Sequence, residues 1–167
     1  MSTFMYENDK EYTLDQHGVS TVLEELSTIA PQYDFLICNL ADGRMTFEVL
    51  ATLPSRLEEV CGGKIVALDL SFNCILCNSC EEIEPVLDQL LGKRIVQYLD
   101  LSYNDLPALE TLQQNSRLSE KVRNFGNRLS LLGRDGNPLT GNADIDYWIC
   151  NARAFKQAAY GCRYIDD

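Results

Sequence analysis

Three cysteines in the middle of the chain have the spacing best suited to chemistry. Cys74, Cys77 and Cys80 follow a C-x2-C-x2-C pattern, and Cys61 lies upstream of them. Thiolates spaced in this way can share one zinc ion or an iron–sulfur cluster. A zinc site typically adds a second cysteine pair or a histidine, and neither is close in the sequence. We therefore expect structural thiols and no metal or other cofactor, with a metal- or redox-responsive module as the alternative.

The sequence offers little for nucleophilic catalysis. A Cys–His or Ser–His pair would need His17, the single histidine, which lies beside Gly18 with no catalytic motif around any cysteine or serine. Gly62 and Gly63 lack the Lys-Ser/Thr that would follow them in a phosphate-binding loop. We expect a surface histidine and a protein that is not an enzyme.

Composition and charge narrow the classes of partner. The 167 residues include 25 acidic and 14 basic ones, which gives a formal charge of −11. This charge disfavours binding to phosphate backbones and anionic membranes.

The first residues lack the basic start and apolar core of a signal peptide, and no apolar run approaches about 18 residues. Seven cysteines without such a signal favour reduced thiols and a cytoplasmic location. Export into another cell's cytosol without a cleaved signal would leave the same sequence.

A sequence motif that occurs twice predicts the strands and helices that hold these residues in place. Residues 64–75 return as residues 94–106, and both reduce to an apolar residue, two free positions and Leu-x-Leu-x-x-Asn-x-Leu/Ile. Weaker copies precede and follow this pair, so that the copies begin 30, 31 and 33 residues apart. The template positions are Phe35, Cys38, Leu40, Gly43 and Met45, then Ile65, Leu68, Leu70, Asn73 and Ile75, then Val96, Leu99, Leu101, Asn104 and Leu106, and finally Leu129, Leu132, Arg134, Asn137 and Leu139. A fixed period of this length predicts a stack of repeats.

Segments with helical periodicity separate the copies. Apolar residues recur at three- and four-residue steps over 47–60, 83–91 and about 107–126. Ser79 and Glu82 have the spacing of a capping box at the start of the second segment. Each unit is thus predicted as strand, turn and helix, with parallel strands on one face and helices on the other.

The Leu-x-x-Leu-x-Leu-x-x-Asn-x-Leu phrase over residues 35–140 resembles the leucine-rich repeat family, and the unit of about 30 residues is similar to its intracellular, ribonuclease-inhibitor-like classes. Gly136-Asn137-Pro138-Leu139, followed by Asp146-Tyr147-Trp148, is similar to the C-terminal cap of small intracellular members. The resemblance implies an α/β right-handed solenoid with short parallel strands on the concave face and helices on the convex face. The predicted divisions are a flexible tail over 1–12, an N-terminal helical cap over 13–34, about four repeats over 35–140 and a C-terminal helical cap over 141–167.

The template asparagines have a structural explanation. A buried amide at Asn73, Asn104 or Asn137 can bond backbone groups of neighbouring turns, and Gly43 in the first copy would forgo that bond.

Residues between the template leucines are predicted to face outward from the concave sheet and to bind a partner. These rows are Ile37, Asn39 and Ala41; Ala67, Asp69 and Ser71; Tyr98, Asp100 and Ser102; and Leu131, Gly133 and Asp135. Phe72 and Tyr103 would be aromatic anchors beside the asparagines. The predicted partner-binding set is Asp69, Ser71, Phe72, Tyr98, Asp100, Ser102, Tyr103 and Asp135. The alternative is that Asp and Ser at these positions only keep the strands soluble. We expect a monomer that binds another protein with a basic surface, and neither nucleic acid nor membrane.

Overall fold

Strands and helices alternate along the chain. The computed structural model describes residues 2–9, 11–106 and 116–131. The strands of this part are β1 (Thr3–Glu7), β2 (Phe35–Asn39), β3 (Ile65–Asp69), β4 (Val96–Asp100) and β5 (Leu129–Ser130). Its α-helices are α1 (Gln16–Ile29), α2 (Phe47–Cys61), α3 (Cys80–Leu87) and α4 (Ser116–Phe125). Short 3-10 helices follow α1 at Ala30–Gln32 and α4 at Gly126–Arg128, and a π-helical turn follows α3 at Asp88–Gly92.

The described strands form one parallel sheet in the order β1-β2-β3-β4-β5. Each strand pairs with the next one along the chain, so that Tyr6, Cys38, Leu68, Leu99 and Leu129 form one row across the sheet. Parallel neighbours need a long crossover connection, and the helices supply it between successive strands. The prediction of an α/β protein with parallel strands is confirmed.

The helices pack on one face of this sheet. Strand residues such as Leu68 and Leu99 share one continuous apolar core with Leu26 of α1 and Leu57 of α2, and all four are fully buried. Ala67 belongs instead to a small separate cluster with Ile37 and Tyr98. Because successive strand residues point to opposite faces, Ala67 lies on the side away from the helices, which we call the outer face. Each fully buried leucine contributes roughly 1.5–3 kcal/mol relative to an exposed one.

The N-terminal residues form the first strand of the sheet, where the sequence predicts a flexible tail over 1–12. Residues 3–7 pair in parallel with residues 35–39 along their whole length. The hydroxyls of Tyr6 and Tyr12 both donate to the carboxylate of Glu25 in α1, at 2.5 and 2.9 Å. Burial, followed by the contact with Glu25, raises the pKa of Tyr6. These contacts attach β1 to the helix layer.

The predicted register is wrong by three residues at β5. Leu129 pairs with Leu99, and the N–H of Leu101 bonds the carbonyl of Ser130, as the N–H of Leu70 bonds that of Asp100. Ser130 therefore occupies the place of Asp100, and Leu131, predicted to face outward, is buried. Closely spaced leucines at 129, 131 and 132 fit either register in the sequence, and the strand pairing decides between them.

A bulge displaces the first template position of the copy in β2. The register shifts between Leu36 and Ile37, so that buried Leu36 pairs with Ile65 and the predicted residue, Phe35, is only half-buried.

Two helix starts differ slightly from the capping patterns. The helix of the predicted N-terminal cap over 13–34 begins at Gln16, because the Asp15 side chain caps it by accepting the N–H of Gly18. At α3 the Glu82 carboxylate accepts the N–H of Asn78, one residue earlier than in a capping box, and Ser79 makes no side-chain cap bond. The predicted C-terminal cap over 141–167 and Asp135 lie outside the described residues.

A buried carboxylate joins α3 to α4. Glu84, whose side chain is only 6% exposed, accepts from Arg117 at 2.8 Å and from Lys121 at 2.7 Å. Lys121 also bonds Asp88 at 2.8 Å. The hydrogen bond from Lys121 holds the pKa of Glu84 below its usual value. A buried carboxylate at this position thus requires the cations of the next helix.

Candidate functional site

The turns that follow the strands are held by buried asparagine side chains. The Asn73 side-chain oxygen accepts the N–H groups of Gly43 and Met45 at 3.0 and 2.9 Å, and its amide donates to the carbonyls of Leu40 and Leu70. Asn104 repeats this arrangement one unit later. Its oxygen accepts the N–H of Ile75, and its amide donates to the carbonyls of Leu70 and Leu101. These bonds fix the position of the residues beside the asparagines.

Glycine at position 43 leaves space for a side chain from the preceding unit. An added Cβ would lie 2.4 Å from Cδ1 of Leu14, which is fully buried there. Gly43 cannot supply the template amide, and its own N–H is bonded by Asn73 instead.

A row of polar side chains closes the ends of β2, β3 and β4. The side-chain oxygens of Asn39, Asp69 and Asp100 accept the N–H groups two residues on, at Ala41, Ser71 and Ser102. The distances are 3.0, 2.9 and 2.9 Å. This Asx-turn bond explains why Asn or Asp recurs at this point. The acidic pair Asp69 and Asp100 thus has a structural task in the turns.

Three residues of the predicted binding set are buried, where the sequence predicts that they face outward. Asp100 is 7% exposed, Ser71 5% and Ser102 2%. The Ser71 hydroxyl donates to Asp69 at 2.6 Å, and the hydroxyls of Ser102 and Ser130 bond each other at 2.7 Å. Their polar atoms are used within the chain, because neighbouring strands bring matching groups side by side.

The most exposed residue of the predicted set, Phe72, forms an aromatic pair with half-buried Tyr103. The rings of Phe72 and Tyr103 stack with centroids 4.2 Å apart and planes 8° from parallel. Phe72 is 56% exposed, one of two large apolar side chains exposed in the described part of the chain; the other is Leu76. Phe72 and Tyr103 adopt positive φ angles of 55° and 60°. Such angles are rare outside glycine, so the turn holds these rings in a conformation that their own backbone disfavours.

A second, smaller row lies along the outer face. Ala67 is fully buried there between Ile37 and Tyr98, which are half-buried and pack against it. With half-buried Asn39 and Asp69 at the strand ends, this row leads towards the aromatic pair. The resulting surface is mixed, with apolar and acidic groups side by side.

Asp42 is a member of this surface that the sequence prediction omits. It occupies the turn position that Phe72 occupies one unit later, and it is exposed with a φ of 55°. An open cleft of about 370 Å³ lies beside it, lined by Tyr12, Thr13, Asp42, Gly43 and Arg44. Alignment of the copies supplies the missing signal, since Asp42, Phe72 and Tyr103 each directly precede the template position of Gly43, Asn73 or Asn104.

The cysteine cluster is divided between the surface and the core. Cys74 is exposed, whereas Cys61, Cys77 and Cys80 are buried, and all four carry free thiols. Burial raises the pKa of Cys77 to about 12, with a further contribution from Glu82, and raises that of Cys61 to about 11. Within the described residues, no group of three or more His, Cys, Asp or Glu side chains is placed to hold a metal ion.

His17 lies exposed on α1, and Thr21 donates to its carbonyl one helical turn later. None of the helices in the described residues has both the length and the apolar character of a membrane span.

Comparison with known proteins found no match: no family model, no curated protein and no solved structure is similar enough to this chain.

Proposed function

We propose that the chain is a leucine-rich-repeat-type stack that binds another protein through the outer face of its sheet, without catalysis. In this proposal the units form a right-handed solenoid with the outer face concave, and the protein works as a monomeric adaptor, regulator or effector. The sequential strand order, the period of about 30 residues and the repeated asparagine bonds support it.

The observation that carries the proposal is the stack of exposed Phe72 on half-buried Tyr103. Large aromatic side chains are enriched where proteins bind one another. This pair lies where the backbone holds it rigidly, so little conformational freedom is lost on binding. The proposed binding surface comprises Phe72, Tyr103, Tyr98, Asp69, Ile37 and Asp42.

The polar residues around this pair favour a partner with a basic surface. Asp42 and Asp69 lie at the same edge of the sheet, and the whole chain carries a charge of −11. The same charge disfavours nucleic acid and anionic membranes. Asp100, Ser71 and Ser102 support the surface from below by holding the turns.

Site-specific photo-crosslinking tests the proposal. A benzoylphenylalanine placed at Phe72 or Ile37 should crosslink one and the same protein in a lysate of the source cells. The matched control carries the crosslinker at Glu59, which is exposed on α2. Capture from position 59 alone, or equal capture from all three positions, would overturn the proposal. A Tyr103→Ala variant tests the surface without touching buried Asp100.

A further inference from the structure

We infer that two copies of this protein associate weakly through Phe72, Cys74 and Leu76, three residues that we call the turn strip. The two strips meet across a twofold axis that runs along them. Phe72 also belongs to the proposed binding surface, so the second copy competes there with the partner protein. The dimer is the resting form, and the monomer remains the form that binds the partner. Only this competition rests on the proposed function.

The turn strip presents apolar side chains to solvent. Its three residues are exposed, whereas Asn73 and Ile75 between them are buried. Such alternation is typical of extended chain, whose alternate side chains share one side. Phe72 and Leu76 are 56% and 51% exposed, and they are the two large apolar side chains exposed in the described part of the chain. The Cys74 thiol lies between them in the sequence.

Backbone hydrogen bonds to the next unit hold the strip in place. Leu76 forms a parallel bridge with Asp105. The N–H of Cys77 bonds the carbonyl of Asp105 at 3.0 Å, and the N–H of Asp105 bonds that of Ile75 at 2.9 Å. The strip therefore loses little conformational freedom when it is covered.

Opposite charges flank the strip at equal distances. Arg44, Cys74 and Asp105 directly follow the template positions of three successive copies, and all three are exposed. The N–H of Cys74 bonds the carbonyl of Met45, and the N–H of Asp105 bonds that of Ile75, both at 2.9 Å. The three residues thus form a row across the units, with steps of about 4.8 Å. A cation lies one unit before Cys74, and a carboxylate lies one unit after it.

A twofold axis along the strip brings complementary groups together. Residues on the axis face their own counterparts, so that Phe72 meets Phe72 and Leu76 meets Leu76 of the second copy. The same axis exchanges a position one unit before the strip with one that lies one unit after it. Arg44 of each copy therefore lies opposite Asp105 of the other, and the interface contains two identical ion pairs.

The place of the strip in the stack also favours a second copy. It follows β3, the middle strand of the five that the structure describes, so the two stacks overlap along their described length. The axis makes them antiparallel, with the β1 end of one beside the β5 end of the other. Residues 1–106 contain 18 acidic and six basic residues, whereas residues 107–167 contain seven and eight. The strongly acidic end of each copy thus lies opposite the less acidic end of the other, which limits repulsion.

The interface is small, and so the dimer is weak. Stable interfaces use about 20–30 residues on each side, many more than the strip and its flanking charges supply. We expect a dissociation constant of about 0.1 mM or weaker.

Sedimentation equilibrium of the full chain tests the dimer directly, over about 10 µM to about 1 mM protein. Arg44→Glu and Asp105→Arg should each weaken dimerisation about ten-fold, because each change makes both ion pairs repulsive. An equimolar mixture of the two variants should regain the original affinity as a heterodimer, since each variant supplies the charges that the other lacks. This recovery would not occur if the changes acted through folding.

Matched controls separate the row from the total charge. Lys93→Glu and Glu59→Arg alter exposed residues by the same two charges, and each should change the dissociation constant by less than about two-fold. Leu76→Ala should weaken the dimer about three- to five-fold, since each copy loses an apolar contact on the axis. Circular dichroism checks that every variant is folded.

A thiol crosslinker tests the position of the axis. In a Cys150→Ser/Cys162→Ser chain, bismaleimidoethane should join two copies through Cys74, because each thiol adds to one maleimide double bond and the two thiols face each other. Addition of Cys74→Ser should abolish the joined product.

Two results would overturn the inference: a chain that stays monomeric over the whole concentration range, or a mixture of the two charge variants that associates no better than either variant alone. Neither result depends on the photo-crosslinking experiment. A partner captured from position 72 by a chain that never dimerises would keep the proposed function and remove only the second copy. A dimer without any captured partner would do the reverse.

Discussion

Asn73 and Asn104 lie one unit apart, and each holds the turn of the unit before it. The Asn73 amide bonds the carbonyl of Leu40, and the Asn104 amide bonds that of Leu70, at 3.0 and 2.9 Å. Both side chains are buried. The Phe72–Tyr103 stack depends on this relationship, because Phe72 and Tyr103 directly precede the two asparagines.

Asn73→Ala should lower the free energy of unfolding by about 3 kcal/mol, since it leaves the buried N–H groups of Gly43 and Met45 without their acceptor. Urea unfolding monitored by circular dichroism measures this loss. Asn78→Ala is the control, because Asn78 is exposed and its replacement should change stability by less than about 0.5 kcal/mol. Equal effects of the two changes would contradict the role of Asn73.

Gly43→Ala should destabilise the protein by about 1–3 kcal/mol, because the added methyl group meets Leu14 at 2.4 Å. Gly63→Ala is the matched control, with nothing within 4 Å of the added Cβ. A Leu14→Ala background should relieve part of the clash, so the effects of the two changes should not add. Strict additivity in denaturant unfolding would show that residues 14 and 43 do not meet.

Among the described cysteines, Cys74 should react first with iodoacetamide under native conditions. It is exposed, whereas burial raises the pKa of Cys61 to about 11 and that of Cys77 to about 12, so few of their thiolates exist at pH 8. Peptide mass spectrometry over time measures the order of labelling. Equimolar zinc should not protect Cys74, and strong protection would favour the metal-responsive alternative.

Stability should fall as the pH drops below about 4.5 because of Glu84. The pKa of this carboxyl is lower in the folded protein than its ordinary value of 4.5, so protonation on acidification removes its ion pairs with Arg117 and Lys121. Glu84→Gln should lower stability at neutral pH and flatten the acid dependence of the urea midpoint. Glu81→Gln, at an exposed position of the same helix, should leave the pH profile unchanged.

Phe72→Gly should change stability by less than about 1 kcal/mol, because the lost stacking is offset by relief of the positive φ angle of 55°. Phe72→Val should cost more, since a β-branched residue is especially disfavoured at that angle. Thermal unfolding compares the two variants. A glycine variant less stable than the valine variant would contradict this account of the turn.

The alternation of strands and helices is predictable from the sequence because it depends on local periodicity. The role of Asn73 and Asn104 also follows, since a buried amide must find backbone partners. The strand at residues 3–7 does not follow, because Tyr6 and Asn8 stand where later units have leucine or cysteine and the pairing with β2 comes from elsewhere in the chain. The three-residue shift of register at β5 does not follow from the sequence either, because it depends on the pairing of β5 with β4.

The candidate surface is only partly predictable for a similar reason. Phe72 and Tyr103 stand out in the sequence as large residues beside the asparagines. The burial of Asp100 and Ser102 depends on neighbours from other strands, which no local pattern contains. Asp42 is missed because a single copy gives no signal there. Only alignment of the copies shows that Asp42 occupies the turn position of Phe72 and Tyr103.

The backward direction of the asparagine bonds gives the protein a direction of assembly. The turn over residues 40–45 is completed by Asn73, and that over residues 70–75 by Asn104. A ribosome makes the chain from its N-terminus, so each turn must wait for its successor to be synthesised before its buried amide bonds can form. The nascent chain should therefore gain protease resistance in steps of about 30 residues, always one unit behind synthesis.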